Sequence, residues 1–260
     1  MYIRTTIKSQ MLRRATDIQV FLPFHDGYPG AKTPFPTLYF LPGYSANAEE
    51  IITCLPLRQM GARYGIAIVV PDGENSFYSD HPERATLNGS FVAQELVQVT
   101  RRLFPLLSNR REDTFIGGIS MGGYGAAVHG LHNSATFARI LMMSPAIEAD
   151  RLFDPADDDK PGAVPSSLFT TLLGGREAYL NSYMNPLHSI ANLQAAGMPL
   201  PRMLLCCGKQ DTLVYEACAH FRKTLAEAGV PLGYEEGDGG HDIPYWDAHL
   251  ESCFRFLKAE

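Results

Sequence analysis

Apolar and polar positions fall along this chain in a repeating pattern. "YIRTTIKSQ" and "TDIQVFLP" near the start read as two strands, the second with alternating apolar positions. Three short, continuously apolar runs follow: "TLYFL" (37–41), "IAIVVP" (66–71) and "TFIGGI" (114–119). "FARILMMSP" and "RMLLCCG" (202–208) repeat the theme, and "LGYEEG" closes it. Continuous apolar runs of this length fit strands buried on both faces. Stretches of helical period lie between them. A weak one runs from about residue 48 to Ala62. "SFVAQELVQVTRRLFPLL" predicts a helix with Phe91, Leu96, Val99 and Leu103 on one face. "MGGYGAAVHGL", rich in small residues, predicts a helix lying close on the sheet. "VYEACAHFRKTLAEAG" and "IPYWDAHLESCFRFLKA" predict two more. Strands and helices in alternation imply a mostly parallel sheet covered on both faces, an α/β fold. "DGYPGAKTPFP" is turn-rich.

The rhythm breaks between Ala146 and about Leu200, where "DPADDDKPGAVP" and short helical pieces appear. We read residues 1–260 as a single α/β domain, with 146–200 inserted as a cap. The acidic run Asp157–Asp159 reads as a solvated loop.

Composition narrows the function. The chain has 260 residues and a formal net charge of −6. It shows no basic stripe to neutralise phosphates, so neither nucleic acid nor an anionic membrane is expected as a partner. No apolar run nears the roughly 20 residues of a membrane span. The N-terminus lacks the apolar core of a signal peptide. The five cysteines (Cys54, Cys206, Cys207, Cys218, Cys253) show no CxxC or Cys/His spacing. They read as free buried thiols in a reducing compartment, so a cytoplasmic location is expected and no metal or cofactor.

The chemistry centres on "TFIGGISMGGYGAAVHGL". Gly118-Ile119-Ser120-Met121-Gly122 is G-x-S-x-G between a strand and a helix, the setting of a nucleophile elbow. A serine hydroxyl needs a base, and in this architecture the chain order is serine, acid, histidine. Of eight histidines, His25 and His81 come too early, and His129 and His132 lie down the helix behind Ser120. His188 is in the insertion, and His220 and His249 sit in helical runs. His241, in "GDGGHDIPYW", follows the last strand at the sheet's carboxyl edge, with Gly239 and Gly240 allowing close approach. Asp211, in "CCGKQDTLV", sits past the penultimate strand and is the expected orienting acid; its competing reading is a helix cap. Asp238 and Asp242 lie too near His241 in sequence for that role, and Asp72 too early. The Met121 amide and the Tyr44 amide, in "LPGYSAN", are the candidate oxyanion donors.

"TLYFLPGYSAN", "VVPDGENSFYSD", "GGISMGGYGA", "CCGKQD" and "GGHDIPYWD" together resemble the tributyrin-esterase branch of the esterase D group. These are α/β-hydrolases related to S-formylglutathione hydrolase and to feruloyl and acetyl-xylan esterases. The resemblance spans nearly the whole chain and is weakest in the insertion. It implies Ser120, Asp211 and His241 as a triad, the Tyr44 and Met121 amides as oxyanion hole, and short-chain carboxylic esters as substrates. Pro42 departs from the family's usual histidine or serine before the loop glycine. The "PDGENSFYSD" segment resembles a pocket edge, so Asn75 and Tyr78 are candidate substrate contacts. Group members often form dimers or tetramers, and nothing in the chain opposes a homo-oligomer. The alternatives are an S-formylglutathione thioesterase, a feruloyl esterase with Phe169, Tyr179 and Tyr183 around an aromatic acyl group, an acyltransferase, and a silent fold that only binds.

Overall fold

The computed structural model describes residues 1–24, 31–147, 151–158 and 162–259. His25, the first part of the turn-rich loop and Asp159 lie outside the described residues. In chain order the elements are β1 (Tyr2–Lys8), β2 (Ala15–Phe21), β3 (Thr37–Leu41), α1 (Ala48–Cys54), α2 (Leu57–Tyr64) and β4 (Ala67–Pro71). There follow β5 (Asp80–His81), β6 (Thr86–Leu87), α3 (Asn88–Ser90), α4 (Leu96–Leu103), β7 (Thr114–Ile119), α5 (Met121–His132) and β8 (Arg139–Met143). The chain ends with α6 (Ser166–Leu173), α7 (Arg176–Leu180), α8 (Pro186–Ala195), β9 (Arg202–Gly208), α9 (Tyr215–Glu227), β10 (Gly233–Gly237) and α10 (Ile243–Lys258).

Among the described residues, eight strands form one sheet in the order β1-β2-β4-β3-β7-β8-β9-β10. β1 and β2 pair antiparallel, and β2 meets β4 antiparallel. Within this sheet every pairing from β4 across to β10 is parallel, while β5 and β6 form a separate antiparallel pair. Side chains alternate across each buried strand and so build two cores. Leu38, Phe40, Ile68, Val70, Leu141 and Cys206 face α1, α2 and α10. Tyr39, Leu41, Val69, Ile116, Met142 and Cys207 face α4, α5 and α9. The adjacent pair Cys206 and Cys207 therefore feeds opposite cores. Cys206, Cys207, Cys218 and Cys253 are buried, whereas Cys54 is exposed.

Two helical expectations need correction. The pattern from 48 to 62 is two helices, because Leu55 before Pro56 is extended (φ −115°, ψ 139°) and a residue before proline avoids the helical region. The helix around residues 88–103 buries Phe91, Val92, Ala93, Leu96, Val97 and Thr100, while Leu103 is exposed. A π turn at Phe91–Glu95 carries Phe91, five residues before Leu96, onto the same buried stripe, whereas Leu103 is the last residue of α4 and lies where the helix leaves the core.

The described residues of 146–200 form short turns followed by α6, α7 and α8. Phe169, Leu173, Tyr179, Met184 and Ile190 join the core that α5 packs into. Among the described residues no helix is long and apolar enough to cross a membrane.

Candidate active site

Ser120 stands at the carboxyl end of β7, where the chain turns into α5, with φ 55° and ψ −117°. A non-glycine residue in that region is strained, and the surroundings must impose it. They do. The Ser120 N–H donates to the Met143 carbonyl (2.9 Å), and its carbonyl accepts from Tyr124 (3.0 Å). A Cβ at Gly118 would lie 2.5 Å from the Leu41 carbonyl oxygen, and one at Gly122 only 1.9 Å from it. Both glycines are thus required by close approach of backbone, and they let α5 lie directly on the sheet.

His241 lies in the turn between β10 and α10. Its Nδ1–H donates to Asp211 Oδ2 at 2.7 Å; a carboxylate only accepts, so the ring's donor is Nδ1 and Nε2 is left to accept. Asp211 is fully buried. Its other oxygen, Oδ1, accepts from the Leu213 and Val214 N–H groups, both at 3.1 Å. One carboxylate oxygen thus faces His241 and the other closes the turn that leads into α9; Asp211 is not the cap of that helix, whose N-cap is Val214. The two loops are joined by backbone: Lys209 N–H bonds the Gly237 carbonyl (2.9 Å) and Gln210 N–H the Gly239 carbonyl (3.0 Å). A Cβ at Gly208 would meet the Gly239 oxygen at 2.2 Å. Gly239 also has φ 142°. Gly239, rather than Gly240, makes the close approach expected there.

Trp246, one turn into α10, meets the His241 ring edge-on, with centroids 5.2 Å apart. Its indole N–H donates to Ser144 (3.1 Å). The sequence reading missed this contact. The spacing His241 to Trp246 was its only signal, since the first turn of a helix capped by Asp242 (its carboxylate accepts from Tyr245 N–H, 3.0 Å) returns beneath its own entry loop.

Ser120 and His241 border one cavity of about 690 Å³, together with Gly43, Tyr44, Phe77 and Phe169. A Cβ at Gly43 would lie 3.5 Å from Ser120 Cβ, so the β3 loop runs beside the serine. Met121 is the first residue of α5, and its N–H is among those a helix start leaves without an intrahelical acceptor. The rest of the wall comes partly from the 146–200 segment, including Ile147, Leu152, Asp154 and Val164, and partly from Ile51, Leu213 and Trp246 outside it. Glu50, Asp154, Asp158 and Asp242 border the cavity, and no Lys or Arg does so among its described lining residues.

Asn75 and Tyr78 do not border the cavity, contrary to the expectation of substrate contact. Tyr78 is buried and donates its hydroxyl to the Pro42 carbonyl (2.8 Å); Asn75 Oδ1 accepts from Ser45 N–H (2.6 Å). Both lie behind the loop, because the 74–78 segment turns through four positive-φ residues, Glu74, Asn75, Phe77 and Tyr78. Of the three aromatics considered for an acyl pocket, only Phe169 borders the cavity. Tyr179 packs on Phe153, and Tyr183 stacks on His132. Among the described residues no group of His, Cys, Asp and Glu gathers to hold a metal ion.

A mainly parallel sheet carrying an elbow serine at the end of β7, and an Asp–His pair on the loops after β9 and β10, defines the α/β-hydrolase class. The chain matches the family described as "Putative esterase" across residues 9–257 and belongs to it. It is 31% identical over 257 residues to an acetyl esterase from Caldicellulosiruptor saccharolyticus, covering 96% of this chain and 95% of that one. A fluorophosphonate-binding serine hydrolase of Staphylococcus aureus shares the fold with a TM-score of 0.85 at 24% identity, covering 100% and 99% of the two chains. An S-formylglutathione hydrolase from Staphylococcus aureus has the same TM-score, identity and coverage. The protein is a carboxylic ester hydrolase.

Proposed function

We propose that this protein hydrolyses short-chain carboxylic esters, acetyl to butyryl and including O-acetylated sugars, through an acyl-enzyme on Ser120. The observation that carries the reading is the 2.7 Å bond from His241 Nδ1 to buried Asp211, beside a strained serine on the same cavity. His241 Nε2 takes the Ser120 proton as Oγ attacks the ester carbonyl. The Met121 and Tyr44 amides bind the oxyanion. The protonated His241, stabilised by Asp211, gives its proton to the departing alcohol. A water molecule, activated by the same histidine, then releases the acid and restores Ser120.

The substrate class rests on the acetyl esterase relative and on the charges around the cavity. An acetyl or butyryl group fills little of about 690 Å³, so the alcohol part occupies most of it. The described carboxylates at its border favour a neutral alcohol. Glutathione carries two carboxylates and meets like charge there, which ranks the thioesterase reading below the ester reading. Phe169 at the border leaves a feruloyl ester as the aromatic alternative.

The test is initial rates on p-nitrophenyl esters from acetyl to octanoyl, with methyl ferulate and S-formylglutathione alongside. A maximum between acetyl and butyryl is expected. Ser120→Ala is expected to lose at least about 10³-fold in kcat. A Ser120→Ala variant keeping more than a few per cent of turnover overturns the mechanism, and fast cleavage of S-formylglutathione alone overturns the substrate class.

A further inference from the structure

The segment Asp72–Tyr78 grips the loop after β3 at two points and the start of α1 at a third. Tyr78 Oη donates to the Pro42 carbonyl at 2.8 Å. Asn75 Oδ1 accepts from Ser45 N–H at 2.6 Å. Asp72 Oδ1 accepts from Ala48 N–H at 2.9 Å. The first two bonds fix the peptide groups on either side of Gly43 and Tyr44. The same segment also holds the start of α5, since Phe77 N–H points at Met121 Sδ, 3.4 Å away.

The segment is itself rigid. The Ser76 hydroxyl donates to the Gly73 carbonyl (2.7 Å) and accepts from Tyr78 N–H (3.1 Å). His129, buried in α5, bonds the Tyr78 carbonyl through Nε2 at 2.7 Å. Tyr78 has no spare room: a Cβ at Gly73 would come within 2.4 Å of its hydroxyl, and one at Gly125 within 2.3 Å of its ring. Four of the seven residues hold positive φ, a conformation that costs energy in each non-glycine residue. That cost is sustained here by bonds that converge on one loop.

Building on the mechanism proposed above, we infer that Tyr78 and Asn75 are positioning residues for the oxyanion hole: they set the Tyr44 N–H relative to the Met121 N–H. Neither touches substrate. Each acts through the backbone of the Pro42–Ser45 loop, whose first residue is Pro42. Proline has no N–H and cannot brace the loop through its own side chain, so the brace comes from outside, through the Pro42 carbonyl.

The hole matters in the transition state and not in the ground state. Displacing one donor therefore lowers kcat while KM stays nearly constant, and weakens a ligand that mimics the tetrahedral intermediate. A short-chain alkyl trifluoromethyl ketone is such a probe, because Ser120 adds to it and the resulting oxyanion occupies the hole. Tyr78→Phe keeps the buried ring and removes only the hydroxyl. It is expected to lower kcat on p-nitrophenyl acetate about 10-fold, within the 10² to 10³ of a fully lost donor. The ketone's Ki should rise by a similar factor, with KM within about twofold. Asn75 is exposed, so its variants are expected to fold: Asn75→Ala should show the same split and Asn75→Asp, which keeps the acceptor, should recover most of the loss.

Parallel measurement of Ser120 phosphonylation in the wild-type protein separates the two layers. No labelling at Ser120 means that the nucleophile assignment has failed. Labelling in wild type, with Tyr78→Phe and Asn75→Ala both unchanged in kcat and ketone affinity, means that the brace alone has failed. A fall in melting temperature without the kcat and Ki split also overturns it, since that is the signature of a purely structural role.

Discussion

Replacing Asp211 by Asn separates the two duties of that side chain. Oδ2 accepts from His241 Nδ1–H, and Oδ1 accepts from Leu213 and Val214 N–H. An asparagine has one acceptor oxygen and one amino group. If its oxygen faces His241, the amino group is directed at two buried backbone donors, and each orphaned donor costs about 1–3 kcal/mol. If its oxygen faces the two backbone N–H groups, only the histidine is confronted by a donor. The imidazole can answer by changing tautomer, so that Nδ1 accepts and Nε2 carries the proton. The second orientation wins by the two-to-one count. Folding is then nearly preserved, but Nε2 can no longer accept from Ser120. The expected loss in kcat is about 10³ to 10⁴, or about 4–5.5 kcal/mol of barrier. Asp211→Ala, by contrast, leaves both backbone donors unpaired and is expected to lower stability as well by about 2 kcal/mol or more. The assay is kcat for p-nitrophenyl acetate together with a thermal melt of each variant. An Asp211→Asn protein that keeps more than about a tenth of wild-type kcat would refute the reasoning, as would one that melts as early as Asp211→Ala.

Gly122→Ala is expected to destabilise by about 3 kcal/mol or more, because its Cβ would sit 1.9 Å from the Leu41 carbonyl oxygen; urea titration reads this directly. Burial pushes the pKa of His129 down to about 4, from the 6.5 of an ordinary histidine. It stays neutral in the folded protein while the unfolded chain takes up a proton, so its contribution is intact above pH 6.5 and fades as the pH falls toward 4. The shift bounds that loss at about 3 kcal/mol, and His129→Gln, which can still donate to the Tyr78 carbonyl, should flatten the pH 6.5–4 limb of a stability profile even if it lowers stability at pH 7. For the cavity's charge, a p-nitrophenyl ester with a neutral acyl chain should be cleaved at least about 10-fold faster than its hemisuccinate analogue, and the gap should narrow with added salt; equal rates would remove the electrostatic argument against anionic substrates.

Local sequence determined much of this protein. Buried strands such as Thr37–Leu41 and Arg202–Gly208 announce themselves because both faces of an inner strand must be apolar, and the structure has them at those residues. The serine was legible because glycine is the only residue that leaves space for the elbow. Asp211 and His241 were legible because chain order and strand ends bring them to one edge of a parallel sheet. Tertiary structure decided what depends on contacts far apart in the chain. Leu103 has the right period for the buried face, yet it is the last residue of α4 and exposed, because where a helix leaves the core is set by its neighbours and not by its period. Tyr78 looked like a pocket residue, yet it spans 36 positions to reach the Pro42 carbonyl, since four left-handed residues turn its segment inward. Trp246 reached His241, and Phe169 alone of the three aromatics considered for an acyl pocket reached the cavity, because packing rather than composition chooses which side chain fills a given space. Period and spacing are local properties, and the sequence carries them openly. The direction of a side chain across a loop is set by the whole surrounding core, and only the folded chain holds that information.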